Sequence, residues 1–204
     1  MVYGVRLGGF LLYREFKIPS YVNKKKEKLK KYKEKKFSFK IIFWIACALL
    51  YSFQSSPLIF KILSSEKEKT FSYIGIIITI SGLILEAKAD NEKSNAKKIN
   101  PNRFVDTGLY AIVRCPNYLG EIIFWIGIFI GGIKIYDGYF QRFISLLGLI
   151  GIIYVMLGGT RRIEISQNKS YEKEPEYQKY IKSTPILIPF VPLYSVEKYK
   201  WLKG

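Results

Sequence analysis

The chain has 204 residues, 49% of them hydrophobic and 16% aromatic, and a formal net charge of +17. Its mean hydropathy of +0.07 averages two opposite textures, long apolar runs and strongly basic connectors. Histidine is absent, which excludes a histidine-ligated metal site, a Ser-His-Asp triad and a histidine base, and two cysteines, Cys47 and Cys115, make no disulfide framework.

Residues 1–13 are apolar apart from Arg6, too short to cross a bilayer, and lack the features of a signal peptide. They read as the inner part of a helix whose upstream half, with one or two further helices, is missing. Residues 24–36 hold nine lysines against Glu27 and Glu34. With a single interleaved aromatic, Tyr32, and a membrane segment next door, this run reads as a solvated juxtamembrane loop attracted to anionic lipid headgroups, and no nucleic acid partner is expected. Apolar runs follow at 39–63, 71–85, 118–133 and 143–159. About 20 apolar residues span a bilayer, with about 17 tolerated, so the predicted fold is all-α: a multi-pass transmembrane helical bundle of about four full spans plus a partial N-terminal helix. The chain reads as one membrane domain, with the partial helix at 1–14, the polybasic loop at 15–40, the bundle at 41–160 and a tail at 161–204. Connectors 14–40, 88–117 and 161–204 are more basic than 61–70 and 134–142, which places the first set in the cytoplasm. Nothing separates a bacterial plasma membrane from the endoplasmic reticulum.

The second complete helix is predicted from about Phe71 to Lys98. Its polar end carries Glu86, Asp90, Lys93 and Lys97 at helical spacing, as a charged stripe or a solvated end with ion pairs between neighbours. Asn100-Pro101-Asn102 breaks it. Residues 103–125, RFVDTGLYAIVRCPNYLGEIIFW, then place polar groups at the mouth of an apolar helix. Pro116 suits the first helical position, and Arg114, Asn117 and Glu121 fall three and four apart on one face. A helix start leaves free backbone donors and a partial positive charge, a setting for anions such as phosphate. A carboxylate one turn inside an apolar helix marks Glu121 as functional. Trp125, Trp44 and Trp201 read as packing or interface anchors, Gly4-x-x-x-Gly8 and Gly127-x-x-x-Gly131 as close-packing faces, and Glu164, after Arg161-Arg162, as a surface ion-pair partner. In the tail, residues 171–182 form a short surface helix with Tyr177 and Tyr180 on one face. Pro185, Pro189 and Pro192 hold residues 186–191 extended, so that this apolar segment packs back on the bundle as a lid.

Taken in order, Arg6-Leu7-Gly8 with Arg14, Ala89-Asp90-x-x-Lys93, Asp106-Thr107-Gly108-Leu109-Tyr110, Arg114-x-Pro116-Asn117-Tyr118-x-Gly120-Glu121, and Tyr177-x-x-Tyr180 with Pro189 resemble the steroid 5-alpha-reductase C-terminal domain family, especially its bacterial-type multi-pass members. The resemblance implies a helical membrane bundle that binds NADPH in a cytoplasm-facing pocket and reduces an activated carbon–carbon double bond of a hydrophobic small-molecule substrate, a steroid-like compound or enone. By position it implies that Asn117, Tyr118 and Glu121 line the cofactor site, and that Asp90, Lys93, Arg103, Asp106 and Arg114 hold its ribose, adenine and phosphates. Arg6 and Arg14 become phosphate contacts, and Tyr177 and Tyr180 complete the site. Cys115 stands where family members carry histidine, and the acids that polarise substrate in the family lie on earlier helices, so no catalytic residue is assigned. No Gly-x-Gly-x-x-Gly turn follows a strand, which argues against a Rossmann site. Two alternatives stay open. The Arg-x-Pro-x-Tyr helix start and Glu172, Glu174 and Glu176 beside Tyr177 also resemble membrane methyltransferases that use S-adenosylmethionine, and Cys115 with the short N-terminus fits a non-catalytic scaffold.

Overall fold

The computed structural model describes residues 4, 5, 8, 9, 12, 16, 29, 32, 34–65 and 69–202. Among them there are five α-helices and no strand: α1 Phe37–Leu63, α2 Thr70–Ile99, α3 Pro116–Gly132, α4 Gly138–Tyr171 and α5 Pro175–Ser183, with a 3-10 turn at Gly108–Ala111. The chain divides into two compact units, Met1–Leu49 and Leu50–Gly204. In the first, Lys40 lies 5.5 Å from the Tyr32 ring and Phe39 stacks on Phe43. Gly4 and Gly8 have no neighbour within 4 Å of where a Cβ would sit, so the close packing expected at that pair is not present among the described residues. The rest of the description concerns the second unit.

Three helices, α1, α2 and α4, are long and apolar enough to cross a membrane. The fourth apolar run forms α3, whose 17 residues reach about 25 Å, the lower limit for a span. The molecule is therefore an integral membrane helical bundle, its broad apolar outer faces in contact with lipid. Length explains where its polar end lies. α2 and α4 have 30 and 34 residues, about 45 and 51 Å, against a hydrocarbon core of about 30 Å. Their excess is polar in both cases, 86–99 and 160–171.

Packing is antiparallel and glycine-mediated. A Cβ on Gly82 would lie 2.4 Å from Phe124 N and 2.6 Å from Gly120 O, and one on Gly75 would lie 2.6 Å from Gly127 O. The α2 and α3 backbones thus touch along their lengths, which only glycine permits, and Gly127 serves as the packing residue that its spacing predicted. The contact of α1 with α4 grows out of a proline. Pro57 lacks an N–H, so the carbonyl of Phe53 loses its helical partner, a costly vacancy in lipid. The Ser56 hydroxyl fills it, donating to Phe53 O at 2.7 Å, and lies 3.1 Å from the Ser145 hydroxyl. Gly148, one turn on, lets α4 close on the same point, since its Cβ would be 2.4 Å from Phe53 C. The resulting order is up-down-up-down. The polar ends of α2 and α4 therefore flank the start of α3, and the tail after α5 returns to that end.

Candidate functional site at the start of helix three

The approach to α3 is shaped by Glu92. Its Oε2 accepts the Leu109 N–H at 2.8 Å and leaves no room for a side chain at Gly108, where a Cβ would lie 2.5 Å from the same oxygen. Gly108 turns the chain with φ +61, a conformation that costs other residues about 1–2 kcal/mol. The 3-10 turn that follows buries Tyr110, whose hydroxyl has no hydrogen-bond partner among the described residues. The Lys93 ammonium lies 6.0 Å from the Tyr110 ring. Burial, and then the charge of Asp90, push the Tyr110 pKa well above the usual phenol range, so it is a neutral donor at physiological pH. Cys115, one residue before α3, is buried too. Burial pushes its thiol up to about 11 although Lys93 and Arg114 pull the other way, so it is no thiolate. Asp90, Lys93, Arg114 and Glu164 thus all act on one of two buried groups, and the turn, the charged stripe of α2 and the polar end of α4 meet at one place.

Arg114 is held at three points, and the next residue adds a fourth. Its side chain, 2% exposed, lies 3.0 Å from that of Glu164, 4% exposed. The same Nη2 donates to Tyr194 O, the Arg114 N–H donates to Pro185 O at 2.9 Å, and the next N–H, of Cys115, donates to Ile186 O at 3.0 Å. Glu164 uses its second oxygen to accept the Val196 N–H at 2.9 Å. This corrects the expectation that Glu164 is a surface ion-pair partner. α4 continues unbroken past its apolar part, and its inward face runs Ile152, Met156, Thr160, Glu164, all buried, so the carboxylate arrives in the interior four residues after Thr160. The tail is fastened by the same residues and by Arg161, whose Nε donates to Glu197 O at 2.9 Å. Ile186, Leu187, Val196 and Leu202 are buried with Cys115, Ile122, Ile152 and Met156 in one core. The proline-bound segment packs back only at Ile186 and Leu187; instead of running extended it bends and turns through 186–191, with Phe190 in a left-handed conformation at φ +62 and 97% exposed.

Of the residues singled out in the sequence, Asp90, Lys93, Asn117, Tyr118 and Glu121 are half-buried and lie around the start of α3. The positive charge of Arg162 acts on Tyr118, and no side chain pairs with the Asn117 amide among the described residues. The Cys115 N–H is spent on Ile186 and Pro116 has none, which leaves the N–H groups of Asn117 and Tyr118 as the open donors of this helix start. Arg103 and Asp106 stand apart, at the rim. Arg103 is 44% exposed and bonds Asp106 at 3.0 Å and Glu176 at 2.8 Å. Tyr177 and Tyr180 pack with Phe104 in an aromatic cluster, ring centroids 5.2 and 5.4 Å away. Their hydroxyls donate to Asn168 Oδ1 and Tyr110 O, both at 2.7 Å. Lys97 donates to Pro101 O at 3.0 Å and Tyr171 Oη at 3.1 Å, tying the helix break to α4, and Glu86 is buried. The stripe of α2 is accordingly not a solvated helix end. Arg6 and Arg14 lie outside the described residues.

Residues 1–184 match the family described as "Protein of unknown function (DUF1295)". The chain belongs to this family. Over 56 residues it is also 36% identical to steroid 5-alpha-reductase DET2 of Arabidopsis thaliana, a stretch that makes up 26% of this chain and 21% of that protein. The chain thus spans about a fifth of the length of that curated relative, and the resemblance drawn from the motifs stands on a second footing. No solved structure matches. Sequence reasoning did not single out Glu92 or Tyr110 as a buried donor, and it placed Glu164 at the surface. Only Glu164 had a signal, the four-residue spacing from Ile152.

Proposed function

We propose that this DUF1295 protein is a membrane reductase that uses NADPH to reduce an activated carbon–carbon double bond of a lipid-soluble substrate, steroid-like or enone. The site faces the cytoplasm, the side of the more basic connectors, and residues 24–36 rest on anionic headgroups there. The observation that carries the reading is the set of donors left unspent around α3: the Tyr110 hydroxyl, buried with no acceptor among the described residues, the half-buried Lys93 and Asn117, and the first N–H groups of the helix. Buried donors are paired in folded proteins, so an orphan of this kind points to a ligand oxygen. The local likeness to a steroid 5-alpha-reductase supplies the class.

The residues present fit an anionic dinucleotide. Lys93, the α3 start and Arg162 would meet phosphates, Asp90 a ribose, and Asn117, Tyr118 and Glu121 the part nearest the membrane. When bound, the cofactor supplies hydride. Arg114 and Arg103 already face carboxylates, so in this reading they position the site, with Asp106, Tyr177 and Tyr180 bracing its rim. Arg114 fixes where α3 begins, and Tyr110 holds a proton at Oη in a region closed to water.

Titration of the purified protein with NADPH, followed by nicotinamide fluorescence, tests this. Asn117→Ala and Glu121→Gln are each expected to weaken binding at least tenfold, about 1.4 kcal/mol. Unchanged affinity in both variants refutes the placement of the pocket, and preferential binding of S-adenosylmethionine would make the protein a methyltransferase instead.

A further inference from the structure

At the end of the bundle opposite to Asn117, where α2 begins, α3 ends and α4 begins, lies an open cleft of about 410 Å³. This is within the range of small-molecule sites, about 300–1,000 Å³. Its walls are Phe71 of α2, Phe129 of α3, and Phe143 and Leu146 of α4, and its charged groups are Lys134 and Arg142. Among the described residues no carboxylate lines it. Neither cation pairs with an acidic side chain among the described residues, and Lys134 Nζ stands 5.8 Å from the Phe71 ring centroid, held at the aromatic wall. The floor is rigid. Tyr136 is buried, donates to Phe129 O at 2.8 Å, and fills the space a side chain at Gly132 would need, 2.7 Å from its ring. Because three helices start or stop here, the cations stand at headgroup depth, and the apolar wall leads from them toward the hydrocarbon.

We propose that this cleft binds one anionic phospholipid, its phosphate between Lys134 and Arg142 and the upper part of its chain along Phe129, Phe143 and Leu146. Two cations that meet no acidic side chain among the described residues, above an apolar wall, fit a phosphate that carries a chain. A neutral lipid would leave both charges unanswered, and a soluble phosphate would leave the wall bare. The site is separate from the proposed cofactor pocket and does not depend on it.

The test is native mass spectrometry of the full chain in an uncharged detergent, with phosphatidylglycerol, phosphatidylcholine or glycerol phosphate added. Comparison with Lys134→Gln/Arg142→Gln cancels binding elsewhere, for example on residues 24–36, and both side chains are exposed, so the variant keeps its fold. The wild type is expected to retain one phosphatidylglycerol at least tenfold more strongly than the double variant, with phosphatidylcholine retained equally by both. Phe143→Ala, which keeps both cations, is expected to abolish any preference for long over short chains. Equal retention of phosphatidylglycerol by wild type and double variant overturns the proposal. So does displacement of the lipid by an equal concentration of glycerol phosphate, which would mark a site for free phosphate only.

Discussion

Replacing Glu164 by alanine strikes the one buried ion pair seen among the described residues. Arg114 and Glu164 are 2% and 4% exposed at 3.0 Å, so solvent does not screen them as it does Arg103, whose side chain is 44% exposed. Glu164→Ala leaves a buried guanidinium without its counter-charge and also removes the acceptor of the Val196 N–H. Breaking such a pair from one side costs about 3–5 kcal/mol, and the orphaned amide falls within that range rather than adding to it. For a chain of this size each kcal/mol lowers Tm by about 2–4 °C, so thermal unfolding in detergent should show a fall of roughly 6–20 °C. Arg114→Met/Glu164→Leu, which removes both charges, should recover most of the loss, because desolvation is avoided along with the attraction. Hydrogen exchange should rise in Glu164→Ala at residues 194–197, which the pair holds, before it rises in α2. A loss below about 1 kcal/mol, the ordinary value of a surface pair, would refute the inference that this pair secures the tail and the start of α3.

The Cys115 thiol should resist maleimide at pH 8 in the folded protein, where its pKa near 11 keeps it protonated, and react after unfolding. Since its folded pKa is raised, its contribution is complete below pH 9 and is lost as pH rises through about 11. Roughly 3 kcal/mol is at stake, and denaturant midpoints that stay level between pH 9 and 11 in the wild type but not in Cys115→Ser would contradict this. Gly82→Ala should cost about 1–3 kcal/mol by overpacking, because its Cβ would sit 2.4 Å from a backbone nitrogen of α3. A neutral result in thermal unfolding would show that α2 and α3 separate freely. Gly108→Ala should cost at least the 1–2 kcal/mol of a left-handed turn, with Glu92→Gln milder because an acceptor for Leu109 survives. Equal and negligible effects of the two would remove Glu92 as the organiser of the turn.

The local elements were legible because each rests on local chemistry. Apolar runs of sufficient length form the spans, Asn100-Pro101-Asn102 ends α2 at Ile99, Pro116 begins α3, and three prolines send the tail back to the bundle. The polar face at Asn117 and Glu121 was visible from spacing alone, since side chains three and four apart share a side of a helix. The division of labour among the cations was not visible. Arg103, Arg114 and Lys93 look alike in sequence, but Arg114 and Arg103 are claimed by carboxylates 50 and 73 residues away in the chain, Glu164 and Glu176, while Lys93 lies over the Tyr110 ring.

By itself, then, the sequence determined that the chain enters a membrane as helices and gathers its polar groups at one end, because hydropathy and backbone chemistry act over a few turns. Only tertiary structure decided which of those groups face each other and which remain open to a ligand. That depends on the close approach of α2, α3 and α4 that glycine allows, and on burial, which makes a pair such as Arg114 and Glu164 matter where an exposed pair would not.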